Sequence, residues 1–250
     1  MNDKPAPVPL SKILVIDVGG THVKVHVAGE KTDLKFDSGP ELNPATMVRE
    51  VKKLLAGKSY EAISIGYPGL VVNGAIAVDP VNMGKGWVGF DFAKALGAKV
   101  QVINDAAMQA LGSFDGKKML FLGLGTGLGT SLVLRDQTVI AMEAAHMPYK
   151  HGKSFEDYVG LRGLKRLGKK KWRKHVAGVI EIFRRAFAPE EVVLGGGNIH
   201  QLQEIPDGVR LGDNENALAG GLRLWNPGAA PVAARGKLVK SETRKKTAKS

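Results

Sequence analysis

Short apolar runs separated by glycine turns open the chain. The pattern predicts strands over residues 12–18, 21–28 and 33–36, with Gly-Gly and Gly-Glu-Lys-Thr as the turns between them. Apolar residues at helical spacing predict a helix over 44–56. The segment AISIGYPGLV is predicted as a strand that ends in a Gly-Pro turn. A short strand over 100–103 and a helix over 105–111 follow it.

The second half of the chain repeats this arrangement. Strands are predicted over 118–124 and 128–134 around a glycine-rich turn, then a helix over 174–187, a strand in EEVVLGGGNI and a last helix over 214–224. Mixed strands and helices favour an α/β fold. The two strand–glycine–strand units suggest two α/β lobes whose hairpins face one cleft. Glycines are also common in hairpins simply because their turns need positive φ.

The two glycine turns are candidate phosphate-binding sites. A turn made of glycines leaves backbone N–H groups unpaired, and such groups can converge on an anion. The residues concerned are Gly19, Gly20 and Thr21 in the first turn and Gly125, Thr126 and Gly127 in the second. Asp17, near the end of the first strand, could hold Mg²⁺ against the bound phosphates. An Asp before a glycine turn can also simply cap that turn.

Composition narrows the classes of protein. The chain has 250 residues, enough to bury a core in one large lobe or two smaller ones; 44% of them are hydrophobic and none is cysteine. Disulfides and thiolate metal sites are therefore excluded. The sequence has no signal-peptide core and no apolar run of about 18 residues, which predicts a cytoplasmic protein without a membrane partner.

Charge is unevenly distributed along the chain. The formal net charge is +12; residues 162–174 hold eight basic residues and no acidic one, and residues 235–250 carry a net charge of +6. The rest of the chain is therefore close to neutral. Two such patches fit a polyanionic partner. A charge run is also commonly a solvated helix face, and the tail can serve solubility alone.

Six motifs in order resemble those of the ROK family of sugar kinases. They are DVGGTHVKV, GYPGLV, INDAAMQALG, GLGTGLGTSLVL, EAAH and GGGN, and the resemblance covers nearly everything from residue 13 to residue 225. Within the family, the strings PVNMGKGWVGFDF and HGKSFEDYVGLRGLKRLGKKKWRKHV resemble the polyphosphate glucokinases. The resemblance implies a two-lobed actin-like ATPase (ribonuclease H-like) fold with the active site between the lobes, and a homodimer.

The resemblance also implies roles for individual residues. Asp105 would be the general base that takes the proton of the sugar 6-hydroxyl, and the competing interpretation is a helix N-cap. The implied sugar-binding residues are Gly69, Asn82, Asn104, Asp105, Glu143, His146 and Glu156. Asn82 could instead form an Asx-turn. Ser154 and Asp157 are predicted to form a capping box, which leaves Glu156 free. Lys24 is a further predicted phosphate-binding residue, in addition to the two glycine turns.

The chain departs from the family pattern in two places. Many members carry a cysteine-rich zinc motif just ahead of the position of Glu156, where this chain has PYKHGKSF, so no zinc is expected. The family usually has Glu-x-Gly-His where this chain has EAAH. Ala145 could therefore tighten the turn that presents His146.

Two phosphoryl donors remain open. Inorganic polyphosphate would follow a row of cations that leads to the turn at Gly125. The predicted cations are Lys165, Lys169, Lys170, Lys171 and Arg173. ATP would place its adenosine near a third glycine cluster over residues 195–198, where the predicted nucleotide-binding residues are Gly196, Gly197 and Asn198. The main alternative is therefore a strictly ATP-dependent hexokinase for glucose or mannose.

Two other classes of protein fit the sequence less well. A ROK repressor needs a helix-turn-helix domain, and only about a dozen residues precede the first strand. A nucleic-acid binder would need aromatic residues interleaved with the basic ones, and the basic tract contains only Trp172, so no specific nucleic acid is expected.

The predicted organisation has four parts. An N-terminal extension covers residues 1–11, a small α/β lobe covers 12–112, a large α/β lobe covers 113–227, and a basic disordered tail covers 228–250. We expect that the last helix can pack back on the small lobe.

Overall fold

The computed structural model describes residues 8–27, 30, 33–55, 57–213 and 216–227. The predicted tail over 228–250 and most of the predicted N-terminal extension lie outside these residues. Strands and helices are mixed along the described chain, which confirms the predicted α/β class.

The described residues of the first half of the chain form seven strands and three helices. They are β1 (Ile13–Val18), β2 (His22–Val27), β3 (Leu34–Asp37), α1 (Pro44–Leu55), β4 (Ala62–Tyr67), β5 (Val71–Val72), β6 (Ala75–Ile76), α2 (Phe92–Leu96), β7 (Lys99–Asn104) and α3 (Asp105–Ser113).

The second half forms another seven strands and three helices among the described residues. They are β8 (Met119–Leu124), β9 (Leu128–Val133), β10 (Val139–Met142), β11 (Pro148–Lys150), β12 (Lys153–Ser154), α4 (Phe155–Val159), α5 (Leu161–Phe187), β13 (Glu191–Gly195), β14 (Val209–Leu211) and α6 (Asn216–Trp225).

Two five-stranded sheets share one topology. Their strand orders are β3-β2-β1-β4-β7 and β10-β9-β8-β13-β14. In each sheet the first two strands pair antiparallel, and the two strands on the other side run parallel to the first. The repeated strand–glycine–strand units of the sequence are therefore the central hairpins of two equivalent sheets.

Each sheet has its own hydrophobic core. Alternate residues of β1, such as Leu14 and Ile16, pack with α1 and with the fully buried Trp87. The second core lies between the second sheet and α5, where Trp172 is fully buried and its indole N–H donates to the carbonyl of Val159 at 2.8 Å. Burial of side chains of this size is the dominant favourable contribution to folding.

Helices α3 and α6 join the two halves. They pack closely at Gly112 and Gly220, where a Cβ on either residue would overlap the backbone of the other helix. Helix α6 also lies on β1 and β4, and the hydroxyl of Ser64 in β4 donates to the carbonyl of Gly221 at 2.6 Å. Helix α3 contacts β4 of the first sheet as well as β8 and β9 of the second.

Helix α5 differs most from its prediction. It begins at Leu161 instead of near residue 174, and so takes in the whole basic tract. A kink occurs at Gly168, whose φ of 72° and ψ of 160° are not helical. The many basic residues and this glycine obscured the apolar spacing of the helix. Of the buried residues Trp172, Val176 and Phe183, only Trp172 lies within the basic tract, so the tract alone does not show the helical pattern.

In the part of the chain that the structure describes, no helix has both the length and the apolar character needed to cross a membrane.

Candidate active site

The parallel strands of the first sheet bring distant residues to one edge. β1 and β7 both pair with β4, and all three strands end on the same side of the sheet. Asp17 lies opposite Gly66 in this register, and Tyr67 lies opposite Asn104. Asp17 and the start of α3 therefore lie at the same carboxyl edge, on either side of β4, where α/β proteins commonly place their ligands.

Asn104, not Asp105, caps helix α3. The side-chain oxygen of Asn104 accepts the N–H of Ala107 at 3.0 Å, and its amide donates to the carbonyl of Gly69 at 3.1 Å. The interpretation of Asp105 as the N-cap is therefore wrong. One oxygen of Asp105 accepts the N–H of Ala106 at 2.8 Å. Because Asn104 caps the helix, the carboxylate of Asp105 is not needed for that role.

Two glycines let the first turn of α3 fit between the sheets. A Cβ on Gly66 of β4 would lie 3.5 Å from the Cα of Asp105 and would overlap Met108. A Cβ on Gly129 of β9 would overlap the methyl group of Ala106. Asp105 is thus held at the junction of the two sheets.

Electrostatics distinguishes Asp105 from an ordinary carboxylate. Burial raises its pKa from 3.8 to about 7, and the charges of Asp17 and Glu143 add to this effect. Asp17 belongs to the first sheet, whereas Glu143 follows β10 of the second. Carboxylates from both halves of the protein therefore act on Asp105, and such a strongly perturbed pKa is common among acid–base groups of active sites.

Asp17 is the candidate ligand for Mg²⁺. Burial raises its pKa, while His26 and Lys24 oppose the rise, and Lys24 lies opposite Asp17 across the β1–β2 hairpin. Mg²⁺ in phosphoryl-transfer sites commonly takes one or two carboxylates and completes its shell with water and phosphate oxygens. A half-buried Asp17 whose charge acts on a second carboxylate, Asp105, fits such an ion, because a cation would relieve the charge that burial penalises.

The first glycine turn is held by a residue that sequence analysis missed. The N–H of Gly19 donates to the carbonyl of His22 at 3.0 Å and closes the turn. Ser38 then donates twice, from its hydroxyl to the carbonyl of Gly19 at 2.8 Å and from its N–H to the carbonyl of Thr21 at 3.0 Å. No sequence signal links Ser38 to this turn, since the β2–β3 hairpin brings the two together.

The second and third glycine turns lie against each other. Asn198 donates from its side chain to the carbonyl of Gly125 at 2.7 Å and from its backbone to that of Leu124 at 2.8 Å. Gly196 has a φ of 84° and approaches Leu124 so closely that a Cβ would overlap its backbone. A predicted phosphate site and the predicted nucleotide site are therefore contiguous.

Glu156 lies at the second glycine turn. Ser154 and Asp157 form the predicted capping box at the start of α4, which confirms that part of the prediction. One oxygen of Glu156 accepts the N–H of Leu128 at 3.3 Å, and a Cβ on Gly127 would collide with the carboxylate. The other oxygen lies 3.3 Å from the guanidinium of Arg162. The structure thus brings a predicted sugar ligand next to predicted phosphate ligands.

Two further predicted sugar residues lie together. Nε2 of His146 is 3.5 Å from a carboxylate oxygen of Glu143, and both side chains are largely exposed. The residues between them, Ala144 and Ala145, are buried in a 3₁₀ turn. Ala145 is therefore a packing residue whose methyl group faces the protein interior.

Asn82 lies in an exposed loop that a second missed residue organises. One carboxylate oxygen of Asp79 accepts the N–H groups of Gly86 at 3.1 Å and Trp87 at 2.8 Å. The buried Trp87 anchors this loop to the first core. An Asp-Pro pair is a turn signal, so Asp79 could have been recognised from the sequence.

The basic tract begins at the second glycine turn. The N–H of Leu161, the first residue of α5, donates to the carbonyl of Thr126 at 3.1 Å. The four predicted lysines are exposed: Lys165, Lys169, Lys170 and Lys171. Arg173 is half-buried, and its guanidinium donates to the carbonyl of Gln201 at 2.6 Å, beside the third glycine turn. Successive helical residues point about 100° apart, so the three consecutive lysines do not form one row.

Two sheets of one topology, joined by α3 and α6 around the half-buried carboxylate of Asp105, define the actin-like ATPase fold, as predicted from the sequence resemblance. More narrowly, the chain has the fold of the ROK sugar kinases.

Similarity to solved structures supports this assignment of the fold. The chain is similar to the inorganic polyphosphate/ATP-glucomannokinase from Arthrobacter sp. strain KM, with 20% identity over 84% of this chain and 96% of the other and a TM-score of 0.72. It is similar to a ROK family glucokinase from Streptomyces griseus in complex with glucose and AMPPNP, with 17% identity over 85% and 99% of the chains and a TM-score of 0.67.

The same fold also occurs in a protein with another role. A ROK family transcriptional regulator, a homologue of the E. coli MLC protein, matches with 17% identity over 85% of this chain and 76% of its own, with a TM-score of 0.67. No protein-family model and no curated protein sequence matches the chain. A shared fold does not determine function, so the residues of the site must decide between these roles.

Proposed function

We propose that this protein is a ROK-family sugar kinase that transfers a phosphoryl group from inorganic polyphosphate to the 6-hydroxyl of glucose, giving glucose 6-phosphate. The observation that carries the proposal is Asp105, a carboxylate held between the two sheets with a pKa raised to about 7 by burial and by the charges of Asp17 and Glu143. A general base works best when its pKa is near the pH at which it operates.

The chemistry assigns one task to each part of the site. Asp105 takes the proton of the sugar 6-hydroxyl as the new O–P bond forms and the donor's terminal P–O bond breaks. N–H groups of the glycine turns at Gly19 and Gly125 bind the donor's phosphate oxygens. Mg²⁺ held by Asp17 would neutralise their charge. Glu143, His146 and Glu156, with Asn82 and Asn104, fix the sugar hydroxyls.

Support for polyphosphate comes from where the basic helix starts. Because Leu161 donates to the carbonyl of Thr126, a chain of phosphates that leaves the second glycine turn would meet the exposed cations of α5 directly. Binding a linear polyanion to such cations releases counterions, which favours association at low salt. The similar protein from Arthrobacter is named for both polyphosphate and ATP.

ATP is the second candidate donor, and one contact favours it. Asn198 joins the third glycine turn to the second through its bond to the carbonyl of Gly125. A nucleotide whose phosphates lie at the second turn would therefore have the third turn beside it. In that case the exposed lysines of α5 are simply solvated.

A coupled assay for glucose 6-phosphate, with polyphosphate and ATP supplied separately and with and without Mg²⁺, tests the proposal. Activity with polyphosphate supports it, and activity with ATP alone replaces it by the ATP-dependent hexokinase. Mannose in place of glucose tests the range of sugars. No turnover with either donor, together with a DNA complex that survives moderate salt, would favour a nucleic-acid-binding protein instead.

A further inference from the structure

A small hairpin connects two candidate sugar ligands. Within the part of the chain that the structure describes, strands β11 and β12 pair only with each other, outside both large sheets, and the pairing is irregular between Pro148 and Lys150. The hairpin starts just after His146 and ends just before Glu156. An isolated two-stranded hairpin is marginally stable in water, so tertiary contacts must fix its position.

Tyr149 supplies those contacts. Its ring stacks on Phe155 with 4.9 Å between centroids and meets Tyr158 edge-on at 5.1 Å and His175 edge-on at 5.8 Å. Phe155 and Tyr158 are buried residues of α4, and His175 belongs to α5. One side chain of the hairpin thus contacts both helices that follow it.

A hydrogen bond also joins Tyr149 to helix α5. The hydroxyl of Tyr149 lies 3.2 Å from Nδ1 of His175. Burial lowers the pKa of His175, and the nearby Lys150 and Arg166 lower it further. The neutral imidazole can therefore accept a hydrogen bond from this hydroxyl at Nδ1. The hydroxyl also faces Gly178, one turn along α5, where a Cβ would lie 3.6 Å away.

The position of Glu156 depends on this cluster. Helix α4 is five residues long and begins where the hairpin ends, with the capping box of Ser154 and Asp157 at the junction. Glu156 lies between Phe155 and Tyr158, both of which contact Tyr149. A shift of the hairpin would therefore move His146 at one end and Glu156 at the other.

We propose that Tyr149 is a positioning residue for the sugar site, which holds the hairpin in place through its ring contacts and its hydrogen bond to His175. The inference rests on the proposed function, because His146 and Glu156 bind sugar only if the protein is a sugar kinase.

The test combines two conservative variants with a matched control. Tyr149→Phe and His175→Phe each remove the hydrogen bond and keep an aromatic ring. Each should raise the KM for sugar by about two- to tenfold, the worth of one hydrogen bond, with the KM for the donor and kcat changed less than twofold. The double variant should do no more than either single one, because both substitutions remove the same interaction. Tyr60→Phe is the control, since the Tyr60 hydroxyl is buried without a hydrogen-bond partner among the described residues of the first half.

Hydrogen–deuterium exchange provides a readout that does not depend on turnover. Amides of residues 147–156 should exchange faster in Tyr149→Phe than in the wild type and the Tyr60→Phe control. An active wild type whose variants keep their sugar KM, or lose sugar and donor affinity equally, overturns this inference alone. Unchanged exchange overturns it as well. A wild type that phosphorylates no hexose with either donor overturns both the inference and the proposed function.

Discussion

Replacement of Asp105 by asparagine should inactivate the protein and stabilise it at the same time. The amide keeps the size of the carboxylate and can still accept the N–H of Ala106, but it cannot take a proton from a hydroxyl. Loss of a general base costs about 10²–10⁴-fold in kcat. Glucose should still bind.

The gain in stability follows from the raised pKa. Between pH 4 and pH 7 the folded protein keeps a proton on Asp105 that the unfolded chain has released, so stability falls as the pH rises through this interval. A pKa difference between 3.8 and about 7 corresponds to about 4 kcal/mol above pH 7, and residual exposure of the site reduces this to roughly 1–3 kcal/mol. In a protein of this size that is a rise in Tm of about 2–12 °C.

The assay compares wild type and Asp105→Asn by thermal denaturation at pH 5 and pH 8 without substrates or Mg²⁺. The variant should be more stable at pH 8, and the difference should shrink at pH 5, where the wild-type group is protonated. In the wild type, log kcat/KM should fall by about one per pH unit below the pKa near 7, because the base acts only when ionised.

Two results would contradict this account of Asp105. A variant that keeps more than about a tenth of the wild-type rate would remove Asp105 from the role of base. A variant that is less stable than the wild type at pH 8 would show that the carboxylate is not destabilised by burial beside Asp17 and Glu143.

Three further variants test the rest of the site. Glu156→Gln should raise the KM for sugar by about tenfold or more, because the site then lacks a charged acceptor of hydroxyl groups. Replacing Lys169, Lys170 and Lys171 simultaneously by glutamine should lower kcat/KM for polyphosphate more than kcat/KM for ATP. The salt dependence of the polyphosphate KM, as a log–log slope, should fall by about one for each lysine that binds a phosphate. Ser38→Ala should raise the KM for both donors by about three- to tenfold and spare the KM for sugar, since it frees the first glycine turn from one hydrogen bond.

Each of these substitutions has its own control. Unchanged sugar kinetics with a lower Tm would assign Glu156 to local packing at Leu128. For the lysine variant, the control replaces the exposed Lys52, Lys53 and Lys94 by glutamine, which removes the same charge from the first half of the chain. An equal loss of polyphosphate activity in this control would show that net charge, and not the position of the lysines, causes the effect. Ser59→Ala removes the hydroxyl of an exposed serine and should leave the KM for both donors unchanged.

The sequence by itself determined the local structure. Apolar spacing placed the central hairpins β1–β2 and β8–β9 to within a residue or two, because a strand or a turn depends on neighbouring residues. The capping box of Ser154 and Asp157 followed from a four-residue pattern for the same reason. The order of motifs along the chain then indicated the fold.

Only the tertiary structure decided which of these residues meet. Asp17 and Glu143 act together on Asp105 because parallel strands and the packing of α3 bring both sheets to one junction, and no local pattern encodes that proximity. Ser38 reaches the first glycine turn through the β2–β3 hairpin. The basic tract looked like a single row of charge in the sequence. A helix with a kink at Gly168 spreads its lysines around the axis, since direction on a helix is set by three-dimensional winding and not by distance along the chain.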